Sequence, residues 1–546
     1  MAMSKRQRLA DAALSRLLGL ARAANGYTVE QVRTPMRDGV RLLGDHLVPD
    51  TGESKGTVLI RTPYGRDLPN PVMNGRILAA RGYHVLLQSV RGTFGSEGVF
   101  RPMAQEAEDG QDTVAWLREQ PWFDGRLATL GASYLAWSQW ALLQDPPPEL
   151  RTAVIYVGPH DFREAVFGTG AFTLGDFLGW SYQIAHQEDG PAGRVFSMVT
   201  SQRRLRPALE GLPLADAADP VLLGRAPWYR EWLDHPEGDD PWWTPYRAGA
   251  ALAGLNVPVL LIGGWQDLFL DQTMIQYEAL RARGVDVALT VGPWTHLQAG
   301  LHGAGVVTRE SVAWLDQHLA DGPAARKSPV RAFRTGERAW HEMPAWPPAT
   351  EPATFHLRAG RRLTTAEPEG PEGVAEFRYD PADPTPSVGG RTLVGSMGVK
   401  DNRPLEARRD VLIFTTDPLP TAVDVIGNPV LDLTITVDNP RADVFVRLCD
   451  VDPRGHSRNF ADQYRRLDPS VPAGESQRLT LTLDPCFHRL PAGHRLRLQI
   501  AGGAFPRFDR NPGTDGAGLA ASGHTVDVTG SRLTLPVAAA APSTIR

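Results

Sequence analysis

Leu130-Gly131-Ala132-Ser133-Tyr134 stands between a short, mostly apolar run, Leu127–Leu130, and a stretch that reads as helical, Leu135–Leu143. A serine between a strand and a helix, with a small residue two places earlier, is the sequence form of a nucleophile elbow. The turn is so tight that a large side chain at 131 would collide with the helix, and the hydroxyl is thrust out above the sheet. Taken alone, so short a pattern fits an ordinary Gly-Ala-Ser turn equally well.

The downstream chain separates the two readings. Asp267 comes after the strand-like run Val257–Gly263, and His296 after Ala288–Gly292. Serine, then aspartate, then histidine, each just past a buried strand, is the triad order of the α/β-hydrolases. Asp271, four residues beyond Asp267, is the competing carboxylate but lies farther from the strand end. His302 is the rival histidine and falls in a glycine-rich loop, while His160 precedes the aspartate and breaks the order.

The surrounding sequence carries the same fold class. Thr57–Ile60, Tyr83–Leu87, Ala153–Val157 and Val257–Ile262 are nearly continuous apolar runs, as in a parallel sheet covered on both faces. Helical stretches such as Glu106–Gln120 alternate with them. Residues 26–160 and 248–346 are therefore expected to form an α/β catalytic domain. Strand-like runs vanish from 161 to 247, where Phe162, Phe167, Phe172, Phe177, Trp180 and Tyr182 accumulate ahead of the polar run Ser201–Arg204. That insertion is expected to be a helical cap, with most of its aromatic residues forming its own core. Beyond 347 the period becomes two: Leu431, Leu433, Ile435 and Val437 alternate with polar residues, as do Leu479–Leu483 and Leu496–Ile500. Residues 347–546 are expected to be a β-sandwich, with Glu367–Pro386 as a long surface loop. Leu9, Ala13, Leu17 and Leu20 fall at helical spacing, so residues 1–25 are expected to form an amphipathic helix docked on the body.

The chain has 546 residues, too many for one core. Its net charge of −5 and the absence of a dense Lys/Arg block argue against a nucleic-acid-binding face. No apolar run approaches the roughly 20 residues that span a bilayer. Two cysteines, Cys449 and Cys486, cannot make a disulfide framework and suit reduced thiols in a cytoplasmic protein. Neither a zinc-protease spacing at His341-Glu342 nor a phosphate loop in Gly513–Gly523 is present, so no metal and no cofactor are expected.

A serine hydroxyl needs an adjacent base, for which His296 is the candidate, held in the correct tautomer by Asp267. The developing oxyanion needs donors. The Tyr134 amide is one by elbow geometry. The early loop Arg61-Thr62-Pro63-Tyr64-Gly65-Arg66 lacks a multiple-glycine motif, which leaves the Tyr64 hydroxyl as a second donor or as a buried loop anchor.

Several of these segments resemble the cocaine esterase family, which is grouped with the Xaa-Pro dipeptidyl-peptidases. Arg61–Tyr64 is similar to its oxyanion-tyrosine motif, Arg91–Gly98 to its arginine–glycine loop, and Gly131–Ala136 to its elbow. Gly264–Asp267 resembles its acid motif, Gly292–His296 its histidine motif, and Trp232–Pro236 with Asp239-Asp240 the end of its cap. Asp410–Thr416 and Asp443–Leu448 resemble its jelly-roll domain. The resemblance implies a triad of Ser133, Asp267 and His296, and an oxyanion hole of Tyr64 and Tyr134. It also implies a jelly-roll form for the C-terminal sandwich. Two positions depart from it: Ala136 replaces a glycine of the elbow, and Ser89 stands where an aspartate is common. The expected activity is hydrolysis of a small carboxylic ester through an acyl-enzyme. Amidase or acylase, amino-acid ester hydrolase, dipeptidyl-peptidase and acyltransferase activities are the enzymatic alternatives, and an inactive ligand-binding homologue is the non-enzymatic one. The reading is compatible with a homo-oligomer.

Overall fold

Ten strands build the first sheet: Tyr27–Pro35 (β1), Arg41–Pro49 (β2), Thr57–Thr62 (β3), His84–Ser89 (β4) and Leu127–Ala132 (β5) come first in the chain. Leu150–Tyr156 (β6), Val259–Gln266 (β7), Val287–Thr295 (β8), Val330–Arg334 (β9) and Ala339–Met343 (β10) complete it. They lie in the order β1-β2-β4-β3-β5-β6-β7-β8-β9-β10. From β4 to β9 all neighbours pair in parallel, and antiparallel strands close both edges. Every residue of β3, β4 and β7 is buried, the condition of a sheet covered on both faces. Helices Glu106–Arg118, Tyr134–Leu142, Leu270–Ala282 and Ala304–His318 supply that cover. This computed structural model describes residues 5–23, 25–67, 75–324, 326–516 and 518–538.

Between β6 and β7 the chain makes helices and no strand: Phe162–Phe167, Leu174–His186, Gly190–Glu210, Leu214–Leu222, Trp228–Asp234, the 3-10 turn Pro241–Tyr246 and Gly249–Gly254. Phe162, Phe167, Phe172, Phe177, Trp180 and Tyr182 are all buried. Phe162 and Phe177 both pack on Trp232, with ring centroids 5.1 and 5.8 Å away, so these rings do form the core of the inserted helices.

From Thr350 onward the chain is almost entirely strands, which assemble into a second, twelve-stranded sheet around its own apolar cluster. Leu431, Leu433, Ile435 and Val437 bury alternate positions of one strand, and Leu496, Leu498 and Ile500 do so on another. The stretch Glu367–Pro386 is not loop throughout. Val374–Tyr379 pairs antiparallel with the 17-residue strand Ser522–Ala538 and buries Phe377 and Tyr379. The two sheets are joined at Asp424, which holds Arg334 of β9 at 2.9 Å and Arg489 at 2.7 Å.

The N-terminal helix, Lys5–Leu17, docks by another face than its leucine spacing suggests. Leu9, Ala13 and Leu17 are exposed, whereas Asp11, Ser15 and the following Leu18 are buried. Leu14 and Leu18 meet the core of the first sheet, and polar contacts flank them: Asp11 accepts from the Tyr27 hydroxyl at 3.0 Å and pairs with Arg76 at 3.1 Å, and Arg309 donates to the Leu18 carbonyl at 2.7 Å.

Candidate active site

β5 ends at Ala132, and Ser133 turns the chain into helix Tyr134–Leu142 with φ 59° and ψ −120°. A non-glycine residue held there costs about 1–3 kcal/mol, so the surroundings must enforce it. They do so by packing and by a backbone bond. A Cβ on Gly131 would lie 2.3 Å from the Leu135 Cβ, and Ser133 N donates to the Tyr156 carbonyl of β6 at 3.1 Å. The methyl of Ala136 is accommodated because residue 158 is glycine: a Cβ at Gly158 would fall 2.1 Å from the Ala136 Cβ.

The next two strand ends converge on this serine. Asp267 follows β7 directly and is fully buried, one of its oxygens accepting from the Phe269 amide at 3.1 Å. His296 opens the short helix His296–Gly300 at the end of β8, where the Thr295 amide donates to the Gln298 side chain at 3.1 Å. Its Nδ1 lies 2.6 Å from Asp267 Oδ1 and its Nε2 2.9 Å from Ser133 Oγ. The Phe269 ring meets the imidazole edge-on at 5.5 Å. These distances suit a serine whose proton is drawn off by an oriented imidazole.

The rival residues are elsewhere. Asp271 sits on helix Leu270–Ala282 and binds Arg391 at 2.7 Å. His302 lies exposed in the turn after the short helix. His160 is buried against Gln276, and burial lowers its pKa to about 4.

Tyr64 follows β3, and its amide donates to Thr62 Oγ1 at 3.1 Å. The Trp180 indole N–H donates to the Tyr64 oxygen at 3.1 Å. An indole nitrogen is a donor only, so the phenol proton must point elsewhere. Ser133 is the other hydrogen-bonding neighbour of this hydroxyl, whose pKa burial raises. Tyr64 is therefore a neutral donor facing the nucleophile. Sequence reading named Trp180 as a cap aromatic and missed this role; nothing local marks it, since the two residues are 116 positions apart.

Tyr134 offers its amide at the first turn of the helix, where N–H groups have no intrahelical acceptor. Its phenol is engaged below, donating to Glu106 at 2.7 Å and accepting from the Met103 amide at 3.0 Å. Glu106 in turn pairs with Arg61 at 3.0 Å, both side chains 2% exposed. Arg91 binds Asp109 and Asp38, each at 2.6 Å. The arginines of the two early motifs thus brace the helix Glu106–Arg118 under the elbow.

The cavity beside Ser133 is built from three parts of the chain. The catalytic sheet gives Tyr64 and Phe269, the inserted helices give Phe162, Phe177 and Trp180, and the second sheet's domain gives Leu393. Among the described residues no group of three or more His, Cys, Asp or Glu side chains is placed to hold a metal ion. Cys449 and Cys486 are free and buried. No described helix is long and apolar enough to cross a membrane.

Comparison with known proteins agrees with this architecture. Residues 38–298 match the X-Pro dipeptidyl-peptidase (S15 family), and residues 323–534 match the X-Pro dipeptidyl-peptidase C-terminal non-catalytic domain. The cocaine esterase of Rhodococcus sp. (strain MB1 Bresler) is 30% identical over 545 residues, covering 90% of this chain and 93% of that one. A solved α-amino acid ester hydrolase superposes with a TM-score of 0.80 at 25% identity, over 95% of this chain and 98% of its own. An aminopeptidase from a marine sediment Thaumarchaeota archaeon shares the fold, with a TM-score of 0.79 at 24% identity over 94% and 97% of the two chains. An α/β-hydrolase sheet with inserted helices, a following all-β domain and this extent of similarity make the chain a member of the X-Pro dipeptidyl-peptidase (S15) family.

Proposed function

We propose that this protein is a serine hydrolase that cleaves small carboxylic esters through an acyl-enzyme at Ser133. The observation that carries the reading is the chain of two bonds, Ser133 Oγ to His296 Nε2 at 2.9 Å and His296 Nδ1 to Asp267 Oδ1 at 2.6 Å. His296 takes the serine proton as Oγ attacks the carbonyl carbon, and Asp267 stabilises the imidazolium. The oxyanion forms against the Tyr64 hydroxyl and the Tyr134 amide. Collapse of the tetrahedral intermediate expels the alcohol, which takes the proton from His296. Water then attacks the acyl-enzyme, giving its proton to His296, and the serine departs reprotonated.

Esters are favoured over amides because the similarity to the cocaine esterase runs through nearly the whole chain. A free acceptor alcohol or amine reaching the acyl-enzyme before water makes the same site an acyltransferase. Against the inactive-homologue reading stand the two short bonds that link Ser133, His296 and Asp267. Two free buried thiols favour a cytoplasmic protein. The test is a panel of chromogenic esters and amides of varied acyl group, run beside fluorophosphonate labelling. Ester turnover with label on Ser133, both abolished in Ser133→Ala, is the expected result. Label on a different serine, or turnover that survives the substitution, refutes the assignment.

A further inference from the structure

A cavity of about 400 Å³ lies on the hydrolase domain between helix Ala304–His318 and the β9–β10 edge of its sheet, and it shares no wall residue with the cavity beside Ser133. A space of that size suits a small molecule. The helix gives it Arg309 and Glu310, the turn entering β9 gives Arg326 and Lys327, β9 gives Arg331 and β10 gives Glu342. Four cations thus face two carboxylates. An excess of one sign inside a walled cavity raises the local concentration of the opposite ion.

Neither carboxylate neutralises the excess. Glu310 is shared: one oxygen accepts from Arg331 Nη1 at 2.6 Å, the other from Arg326 Nη1 at 2.9 Å and from the Thr290 hydroxyl. Glu342 is exposed and, although directly opposite Arg331 in the β9–β10 register, makes no ion pair among the described residues. Lys327 and Arg309 also lack a carboxylate partner among the described residues; Arg309 donates to a neutral acceptor, the Leu18 carbonyl, at 2.7 Å. The two inner guanidiniums are fixed in place. Arg326 donates from Nε to the Ser328 carbonyl at 3.3 Å, from Nη2 to the Leu289 carbonyl at 3.2 Å, and from Nη1 to Thr290 at 2.9 Å besides Glu310. Arg331 lies over the Trp340 ring, 4.6 Å from its centroid. Side chains held this way lose little freedom when a ligand arrives. Burial and, less so, the Arg331 charge keep the Arg326 pKa below its ordinary value against the pull of Glu310, so this cation gains from a further anion.

We propose that this cavity is a binding site for a small phosphate monoester, whose dianionic head is held by Arg309, Lys327 and Arg331. The charge excess matches that head, which carries about −1.5 to −2 at pH 7 and offers three acceptor oxygens. The three donors come from a helix, a turn and a strand, so they approach a tetrahedral head from different sides. A carboxylate brings one charge and two oxygens in a single plane, and leaves part of the excess unmatched. Arginine suits phosphate in particular, because its planar fork pairs with two oxygens at once. No group of the triad takes part, so the site is an accessory one and is tested independently of the ester-hydrolase reading.

The test is calorimetric titration of the full chain with phenyl phosphate, inorganic phosphate and phenylacetate at one constant ionic strength. Phenyl phosphate is expected to occupy one site per chain with a Kd below about 1 mM at pH 7.5. Phenylacetate, with the same ring and a single charge, should bind about tenfold more weakly or worse. Inorganic phosphate, which leaves most of the cavity unfilled, should also bind more weakly than the ester. Lowering the pH to 5.5 protonates the head, whose second pKa is near 6, and should weaken binding by about threefold or more. Lys327→Gln and Arg331→Gln should each cost about tenfold in affinity, whereas Ser133→Ala should cost nothing. Lys327 is exposed, so its variant is expected to keep the fold, as circular dichroism checks. Absence of saturable binding up to about 10 mM overturns the proposal at the wild-type stage. Phenylacetate binding as tightly as phenyl phosphate, or affinity indifferent to both substitutions, overturns it as well. Inorganic phosphate binding as tightly as the ester overturns the monoester class.

Discussion

Replacing Tyr64 by phenylalanine separates catalysis from packing, because the bonds on its hydroxyl run in a known direction. The Trp180 N–H donates into the oxygen, so the phenol proton is the group left for the oxyanion. Loss of one oxyanion donor lowers kcat by roughly 10²–10³, or about 3 kcal/mol. The phenylalanine ring keeps the loop packing but strands the indole N–H of Trp180, which is 6% exposed. That orphaned donor costs about 1–3 kcal/mol of stability. Tyr64→Phe is therefore expected to lose both activity and some stability. Trp180→Phe leaves the phenol donor in place but frees it to rotate. One ordinary hydrogen bond, about 1.4 kcal/mol, corresponds to a loss of about tenfold. The two effects pass through one hydroxyl, so in the Tyr64→Phe background the Trp180 substitution should cost little further kcat. Measuring kcat per titrated site and thermal unfolding for all four proteins of the cycle decides it. Tyr64→Phe with kcat within about threefold of wild type, or a full tenfold Trp180 effect in its absence, refutes the orientation argument.

The same geometry sets further outcomes. Ser133→Ala should lower ester turnover by about 10⁶ with the fold intact by circular dichroism; residual activity within tenfold of wild type moves the nucleophile elsewhere. Asp267→Asn should lower kcat by about 10⁴ through the lost histidine tautomer, while Asp271→Asn, which disturbs Arg391 instead, should cost less than tenfold; the reverse order in steady-state kinetics refutes the assignment. Gly158→Ala should destabilise by at least 1–3 kcal/mol, with Ala136→Gly restoring the loss, as read by thermal unfolding of the single and double variants. Burial lowers the His46 pKa to about 3, so the unfolded chain, with its histidine near 6.5, binds more protons between those values. Stability then falls as pH drops from about 6.5 toward 3, and His46→Gln should flatten the slope by up to about 1.4 kcal/mol per pH unit in denaturant titrations at pH 4–6; an unchanged slope rejects it.

What the sequence disclosed about the site is what strands dictate locally. Ser133, Asp267 and His296 each stand at a strand end, and parallel neighbours in the order β5-β6-β7-β8 bring those ends to one edge. The choice of Asp267 over Asp271 rests on the same rule, since Asp271 is already on the next helix and faces the all-β domain. Trp180 and Leu393 lie outside that rule. They reach the site through packing of the inserted helices and the second sheet, which no local pattern encodes. Val374–Tyr379 escaped notice because its partner is some 150 residues away and its exposed face carries Glu376 and Arg378 beside Val374. The N-terminal helix misled for a related reason: its leucine spacing describes a face, but Asp11, bound by Tyr27 and Arg76, decides which face docks.

The serine at position 89, where the family pattern commonly has an aspartate, takes part in the bonds that hold the Tyr64 loop. Arg66, two residues beyond Tyr64, donates to Ser89 Oγ at 2.6 Å and to the Phe94 carbonyl at 3.1 Å. A serine cannot balance that guanidinium's charge, and a carboxylate must. Asp45 on β2 provides it, 3.2 Å from Arg66 Nε. β2 pairs directly with β4, which carries Ser89, so the anion is on the adjacent strand and not on the loop itself. The loop bearing Tyr64 thus keeps its cation, its partner and its attachment to the sheet. Direction matters more here than residue identity: Trp180 donates to the Tyr64 oxygen from one side, Thr62 accepts from the Tyr64 amide on the other, and on the proposed mechanism that leaves the phenol proton for the oxyanion.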